Sequence, residues 1–300
     1  MKISQLIGEG ESRFQTAGLA FGQGTLTAWD EARWLTLAAL GLPVDSPDTI
    51  ESTALNNEQI RHVQEIFDRR IASRLPAAYL TGEAWLKGYP FRVDPRVIIP
   101  RSFIAELLLD HCQPWIRDPL AVRNILDLCT GSGCLAIIAA DQFPNAHVVA
   151  SDLSADALQV AALNIEDYEL TEQITLIESD VFQKIPEQRF DLIISNPPYV
   201  PPNKRDTLPR EFQHEPDMAL IAEDRGMAIV REILKKAANY LANDGVILVE
   251  VGHEREACDL LLDQEFPGLH ALWIETDEQS DNVFLLTANQ LQQYPWRPRP

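Results

Sequence analysis

Asn196-Pro197-Pro198-Tyr199 is the segment in which residue types and spacing specify a chemistry most directly. The apolar run Phe190-Asp191-Leu192-Ile193-Ile194-Ser195 leads straight into it and reads as a strand. A proline after Asn196 biases that residue to an extended backbone and blocks a helix. The two prolines fix φ and lack N–H groups, so they form a stiff ledge whose carbonyls are free to accept. Asn196 adds a side-chain carbonyl, and Tyr199 offers an aromatic face to a planar group. This slot suits an NH2 on a flat group, with one N–H taken by the Asn196 side-chain oxygen and the other by the Pro197 carbonyl. The nitrogen lone pair then points at a donor. An amide nitrogen is a poor nucleophile because its lone pair is delocalised, so acceptors that favour positive charge developing on nitrogen help most in the transition state. In-line alignment contributes up to about 7–11 kcal/mol in well-oriented systems. No buried base is required, since the proton can leave after transfer. Asn196, Pro197 and Tyr199 are the expected catalytic group, and all four residues are expected to hold the substrate.

A second set of residues suits a nucleoside. The turn Asp127-Leu128-Cys129-Thr130-Gly131-Ser132-Gly133-Cys134 follows a short apolar strand, and its glycines let backbone approach a ligand closely. It is not a GxGxxG turn, because the spacing fails after Gly133, and no Gly-Lys-Ser/Thr marks a P-loop. About twenty residues on, Asp152 ends a second strand, where a carboxylate can accept both hydroxyls of a ribose. Glu178-Ser179-Asp180-Val181-Phe182 closes a third. There Asp180 suits an adenine amino group, while Val181 and Phe182 cover a ring face. Acids at successive strand ends, in a pocket expected to hold no Lys or Arg, favour a phosphate-free nucleoside bearing a positive sulfonium. S-adenosylmethionine fits that description better than NAD or ATP, with Asp127 taking the amino group of its methionine part. The expected donor-binding set is Asp127, Thr130, Gly131, Gly133, Asp152, Asp180, Val181 and Asn196.

These motifs need a scaffold, and the pattern from about Asn124 supplies one. Apolar strands at Ile125–Leu126, Ala146–Ala150, Ile174–Ile177, Leu192–Ser195, Val246–Val249 and Leu272–Glu275 alternate with helical stretches such as Cys134–Ala140 and Ala155–Asn164. Val283–Thr287 is expected to be a late antiparallel strand. Strands separated by helices mean βαβ units and an α/β, doubly wound, largely parallel sheet. Ligands of such sheets sit beyond the carboxyl ends of the strands. The first 80 or so residues read as helical. Trp29–Leu40 starts near Thr27 and Asp30 and stops at Gly41, and Ile60, Val63, Ile66, Phe67 and Ile71 fall on one helical face. Glu83-Ala84-Trp85, a Lys87-Gly88 turn and Phe91-Arg92-Val93 read as a hairpin. The expected organisation is a helical substrate-recognition domain (1–82), a hairpin linker (83–100) and a larger α/β domain (101–300). The tail Pro295–Pro300 is expected to be a mobile end.

Global composition narrows the partners. The chain of 300 residues carries 45 acidic and 25 basic side chains, a net charge of −20. Such a surface is repelled by phosphate backbones and attracts a basic partner, so direct DNA binding is not expected. The start lacks the apolar core of a signal peptide, and no apolar run approaches membrane-spanning length, so a soluble cytoplasmic protein without membrane contact is expected. The 4 cysteines, Cys112, Cys129, Cys134 and Cys258, show no CxxC spacing. They read as buried reduced thiols, with no metal site expected.

Together, Asp127 to Gly133, Asp152, Asp180 and Asn196-Pro197-Pro198-Tyr199 resemble the class I S-adenosylmethionine-dependent methyltransferases that modify amino nitrogens. Pro76-Ala77-Ala78-Tyr79-Leu80-Thr81-Gly82, Ile98-Ile99-Pro100-Arg101 and Glu215-Pro216 followed by Ala219-Leu220 narrow the resemblance to the protein glutamine N5-methyltransferases. It runs from about residue 75 to residue 287. The resemblance implies a Rossmann-like, seven-stranded sheet whose last hairpin reverses one strand, with a small helical N-terminal domain. It also implies methyl transfer from S-adenosylmethionine to the side-chain amide of a protein glutamine, held by Asn196, Pro197, Pro198 and Tyr199. One branch of the family modifies a glutamine of ribosomal protein L three, and its sister branch modifies peptide-chain release factors. The release-factor branch usually reads Ile-Pro-Arg-Pro-Asp/Glu-Thr-Glu and has Gly at the first loop position. Here Ser102 follows Arg101 and Cys129 stands in the loop, which resembles the ribosomal-protein branch. Two rival readings are N-methylation of an exocyclic amino group in RNA or DNA, which needs a local basic groove from residues such as Lys204, Arg205 and Arg210, and a non-catalytic ribosome assembly factor.

Overall fold

The computed structural model describes residues 1–276 and 280–294. The Pro295–Pro300 tail lies outside the described residues. Four helices open the chain: α1 (Ile3–Thr16), α2 (Ala28–Ala39), α3 (Asn57–Ser73) and α4 (Ala77–Thr81). The Thr27 side chain accepts from the Asp30 N–H at 3.1 Å and so caps α2. Asn56 and Gln59 form a capping box on α3. Val63 and Phe67 of the predicted α3 stripe are buried, against Phe14 of α1 and Trp34 of α2. Arg70 shares that face and is 1% exposed. It is held there by Glu31 at 2.8 Å and Glu211 at 3.5 Å, so charge pairing extends an otherwise apolar stripe.

A tight hairpin follows, β1 (Glu83–Leu86) and β2 (Tyr89–Arg92). Lys87 and Gly88 both have positive φ, 50° and 88°, the requirement of the two-residue turn whose twist matches its strands. After it come α5 (Ile104–Leu109), β3 (Asn124–Leu128), α6 (Cys134–Gln142), β4 (His147–Asp152), α7 (Ala155–Asp167), β5 (Ile174–Glu178) and β6 (Phe190–Ser195). The chain then runs through 3₁₀ turns and α8 (Asp217–Leu220) to α9 (Ala228–Ala237), β7 (Leu241–Glu250), α10 (Arg255–Glu265), β8 (Leu272–Glu275), β9 (Ser280–Thr287) and α11 (Ala288–Gln293).

The strands form one seven-stranded sheet of order β5-β4-β3-β6-β7-β9-β8. β3 to β7 pair in parallel, whereas β9 is antiparallel to both its neighbours. The expected α/β class and the late antiparallel strand are both present. Alternate residues of each strand enter opposite cores. Ile125, Val148, Leu192 and Leu248 face the α5 and α6 side, and Leu126, Val149, Ile193 and Ile247 face the α9 and α10 side. The order reverses between β3 and β6, so the crevice beyond their carboxyl ends is where this topology places a ligand. A third cluster joins α1–α4 to Val97 and Ile99 after the hairpin and to Ala157 and Val160 of α7. No helix among the described residues is long and apolar enough to cross a membrane.

Candidate active site

The glycine turn after β3 is fixed from several sides. Thr130 N–H donates to the Ser151 carbonyl at 2.9 Å, and the Thr130 hydroxyl donates to Asp127 Oδ2 at 2.5 Å. Buried Asn164 of α7 donates to the Ser132 carbonyl at 2.8 Å and exchanges bonds with the backbone of Arg92, tying hairpin, turn and helix together. Cys129, Gly131 and Gly133 all have positive φ. At Gly133 an added Cβ would also lie 3.2 Å from the Ala161 methyl group. The Gly131 N–H donates to Asp152 Oδ2 and the Ser154 N–H to Oδ1, both at 2.9 Å, so the carboxylate at the end of β4 is rigid yet keeps accepting capacity.

A cavity of about 350 Å³ opens above this turn. Cys129, Gly131, Asp152, Asp180, Val181 and Asn196 line it. Three members of the expected donor set do not. Asp127 is fully buried beneath the turn, and Thr130 and Gly133 are buried with it, so they shape the wall from behind. Burial pushes the Asp127 carboxyl up to about 7, the charge of Asp152 adds to this, and the Thr130 hydrogen bond opposes it. Phe182 also points away: its ring stacks on Tyr240 in the core, at 4.5 Å between centroids. In its place, Leu153, Ile229 and Ala157 supply apolar wall, and Leu153 is left 54% exposed. The wall is not free of basic residues, because Arg96 lines it. Its guanidinium is committed to Asp94 at 2.6 and 2.9 Å and to Gln159 at 3.0 Å.

Val181 has φ 49°, an uncommon conformation for a β-branched residue, of the kind that costs about 1–3 kcal/mol. The Ser179 hydroxyl donates to the Val181 carbonyl at 2.9 Å and accepts from the Lys184 N–H at 3.0 Å, which pins that turn.

A second, larger cavity of about 840 Å³ adjoins the first, and Asn196 lines both. Pro197, Tyr199, Arg101, Trp85, Phe103 and Phe212 are among its walls, together with Gly22, Gly24, Thr25 and Leu26 of the loop before α2. The four motif residues therefore divide: Pro198 lines the smaller cavity, Pro197 and Tyr199 line the larger, and Asn196 stands at the junction. Asn196 Nδ2 donates to the Arg101 carbonyl at 3.2 Å, so its Oδ1 lies on the other side of the amide, where it can accept. Two glycines absent from the sequence-based set hold Tyr199. A Cβ at Gly252 would meet the Tyr199 ring at 2.6 Å, and one at Gly226 would lie 1.9 Å from the Tyr199 carbonyl oxygen. No group of three or more His, Cys, Asp or Glu suited to a metal occurs among the described residues. All four cysteines are free thiols.

Comparison with known proteins agrees with this architecture. Residues 104–222 match the family model described as the methyltransferase small domain. The chain is 48% identical to the ribosomal protein uL3 glutamine methyltransferase of Bordetella pertussis, over 96% of each chain. It is 46% identical to the protein of the same name from Burkholderia pseudomallei, over 96% of this chain and 95% of that one. For the Neisseria meningitidis protein of that name the figures are 48%, 93% and 91%. Among solved structures, the hMettl16 catalytic domain in complex with MAT2A 3'UTR hairpin 6 matches 78% of this chain and 84% of its own, at 14% identity and a TM-score of 0.51. That likeness shows the class I methyltransferase fold. Near-half identity sustained over almost the full length of both partners, on a sheet of this order, shows that the chain belongs to the ribosomal protein uL3 glutamine methyltransferase family.

Proposed function

We propose that this chain transfers the methyl group of S-adenosylmethionine to the side-chain amide nitrogen, N5, of a glutamine in ribosomal protein uL3. The observation that carries the reading is the position of Asn196 at the meeting of two cavities, one walled by acids at strand ends and one by Pro197 and Tyr199. The names of the relatives supply the substrate.

The smaller cavity suits the donor. Asp152 presents open lone pairs to ribose hydroxyls, Asp180 accepts from an adenine amino group, and Val181 and Leu153 cover the ring. Asp127, buried under the glycine turn, braces the turn from below through Thr130. When bound, S-adenosylmethionine supplies an electrophilic methyl on a sulfonium. The side chains do the rest by orientation. Asn196 Oδ1 and the Pro197 carbonyl each accept one N–H of the glutamine amide, and Tyr199 lies against its plane. The N–C bond forms as the C–S bond breaks, and the extra amide proton leaves to water. Residues 1–82 serve substrate recognition by contributing one wall of the larger cavity. The enzyme acts in the cytoplasm, on a basic protein partner.

Purified uL3 and a release factor, incubated side by side with methyl-labelled donor and analysed by mass spectrometry, test the assignment. Methylglutamine in uL3 alone is the expected result. Label confined to the release factor moves the chain to the sister branch, and label in RNA alone overturns the amide substrate. The Asn196→Ala variant is expected to lose methyl transfer while retaining most donor binding; near-normal turnover would remove Asn196 from the mechanism.

A further inference from the structure

Asn196 can accept from a substrate amide in only one of its two amide orientations. Flipped, it would present N–H groups to the N–H groups of the glutamine, and the slot would repel what it must hold. The hydrogen bond that sets the orientation runs from Nδ2 to the backbone carbonyl of Arg101. Arg101 lies in an irregular segment between β2 and α5, so no sheet or helix ladder fixes that carbonyl. Its side chain does. The guanidinium makes a bidentate pair with Glu215 at 2.5 and 2.7 Å. Glu215 is 3% exposed, and its Oε1 also accepts the Ile99 N–H at 3.1 Å, so one carboxylate grips the segment on both sides of Pro100. The Phe212 ring covers the guanidinium at 5.3 Å.

We propose that Arg101 and Glu215 are positioning residues that set the amide orientation of Asn196 through the Arg101 carbonyl, an inference that rests on the acceptor role given to Asn196 above. Two-point, planar pairing removes the rotation that a single hydrogen bond would leave, and burial strengthens it. The pair is itself moored. Glu211, 2% exposed, lies four residues before Glu215 and pairs with Arg70 and with Arg74 at 3.2 Å. Arg70 in turn pairs with Glu31 of α2. The orientation of the reactive slot is thereby tied, through charged pairs, to α3 and to α2, the helix that follows the loop walling the larger cavity.

The test uses the full-length protein, S-adenosylmethionine and uL3. Glu215→Gln keeps shape and one acceptor but loses the charged fork; Arg101→Lys keeps charge and loses the fork. Both are expected to lower kcat roughly 10- to 100-fold. Donor affinity by calorimetry should stay within about twofold, because the donor cavity keeps its walls. The distinguishing measurement is a double-mutant cycle read on the residual turnover of Asn196→Ala, followed with labelled donor over long incubations: in that background, Glu215→Gln should cause no further loss of kcat. A staple that merely supports the fold would add its own loss there. A second readout is independent of turnover. In protein labelled with 15N-asparagine, the side-chain NH2 signals of Asn196, identified by their absence in Asn196→Ala, should shift in Glu215→Gln. Unchanged kcat in Glu215→Gln, additive losses in the double variant, or unmoved Asn196 signals would each overturn the proposal. Signals that move as expected while wild-type protein methylates no glutamine would overturn the reaction and leave the positioning role standing.

Discussion

At the residue scale, the role proposed for the motif depends on how firmly Tyr199 is held. Gly252 leaves the space its ring fills, and Gly226 lets a second segment approach its carbonyl. Gly252→Ala is therefore expected to displace the ring and lower kcat/KM for the protein substrate roughly tenfold with donor affinity unchanged, as a small misplacement of a positioning group does. Both replacements demand a positive φ of an alanine, 50° at Gly252 and 87° at Gly226, and Gly226→Ala also meets backbone, so both should lower thermal stability and Gly226→Ala the more. Steady-state kinetics, calorimetry of donor binding and thermal melts check both, and wild-type kinetics in Gly252→Ala would show that ring position does not govern turnover. That Asn196-Pro197-Pro198-Tyr199 stand together at cavity walls was legible because they are four consecutive residues directly after a strand. Gly226 and Gly252 were not, since what they touch is set by the fold and not by their neighbours in sequence. Asp127 and Phe182 illustrate the converse: each stands in the expected motif, but strand alternation and the close-packed turn direct them inward.

At the scale of elements, the junction of β7 with α5 has its own chemistry. Glu250, 1% exposed at the end of β7, accepts from the Ser102 hydroxyl at 2.6 Å and the Phe103 N–H at 2.9 Å, capping the start of α5. Burial pushes its carboxyl up from 4.5 to about 7, against the opposing pull of Ser102, the Phe103 and Ile104 N–H groups and Arg101. Between those two values the folded protein binds more protons than the unfolded chain. The stability tied to this group is therefore full below about pH 4.5 and falls as pH rises through 7, by about 3 kcal/mol in all. Asp127 adds a similar slope over the same window. Glu250→Gln should flatten the decline of unfolding free energy between pH 5 and 8 without abolishing it, and it should be the less stable protein at pH 5, where its NH2 group replaces an acceptor. Urea titrations at the two values measure this; parallel pH profiles would mean that Glu250 is charged in the folded state. The sheet strands were legible from short apolar runs, and the hairpin from Lys87-Gly88. Helices α5, α9, α10 and α11 were not foreseen; α5 and α11 are too short to show a period, whereas Val230, Ile233, Leu234 and Ala237 of α9 fall at i, i+3, i+4 and i+7, a helical stripe the sequence does carry. Arg70 escaped notice because nothing local distinguishes a buried, doubly paired arginine from a solvated one.

At the scale of the whole molecule, the net charge of −20 and the apolar larger cavity act at different distances. Contacts in the cavity operate only after docking, whereas a field of one sign acts over about 10 Å at 0.1 M salt and speeds the approach of a basic protein. The two contributions separate in kinetics. Raising salt from about 0.05 to 0.3 M should lower kcat/KM for uL3 several-fold through slower encounter, with kcat nearly constant because Asn196 and its neighbours are shielded from bulk ions. A short glutamine peptide of zero net charge should show little salt dependence, since it fills the same cavity without feeling the distant field. Salt-independent kcat/KM for both would reduce the acidic surface to a solubility feature and leave recognition to the walls contributed by Gly22, Gly24, Thr25, Leu26, Trp85 and Phe212. Equal salt dependence for peptide and protein would instead place the governing charges inside the cavity, whose lining includes Lys87, Arg101, Glu250 and His253.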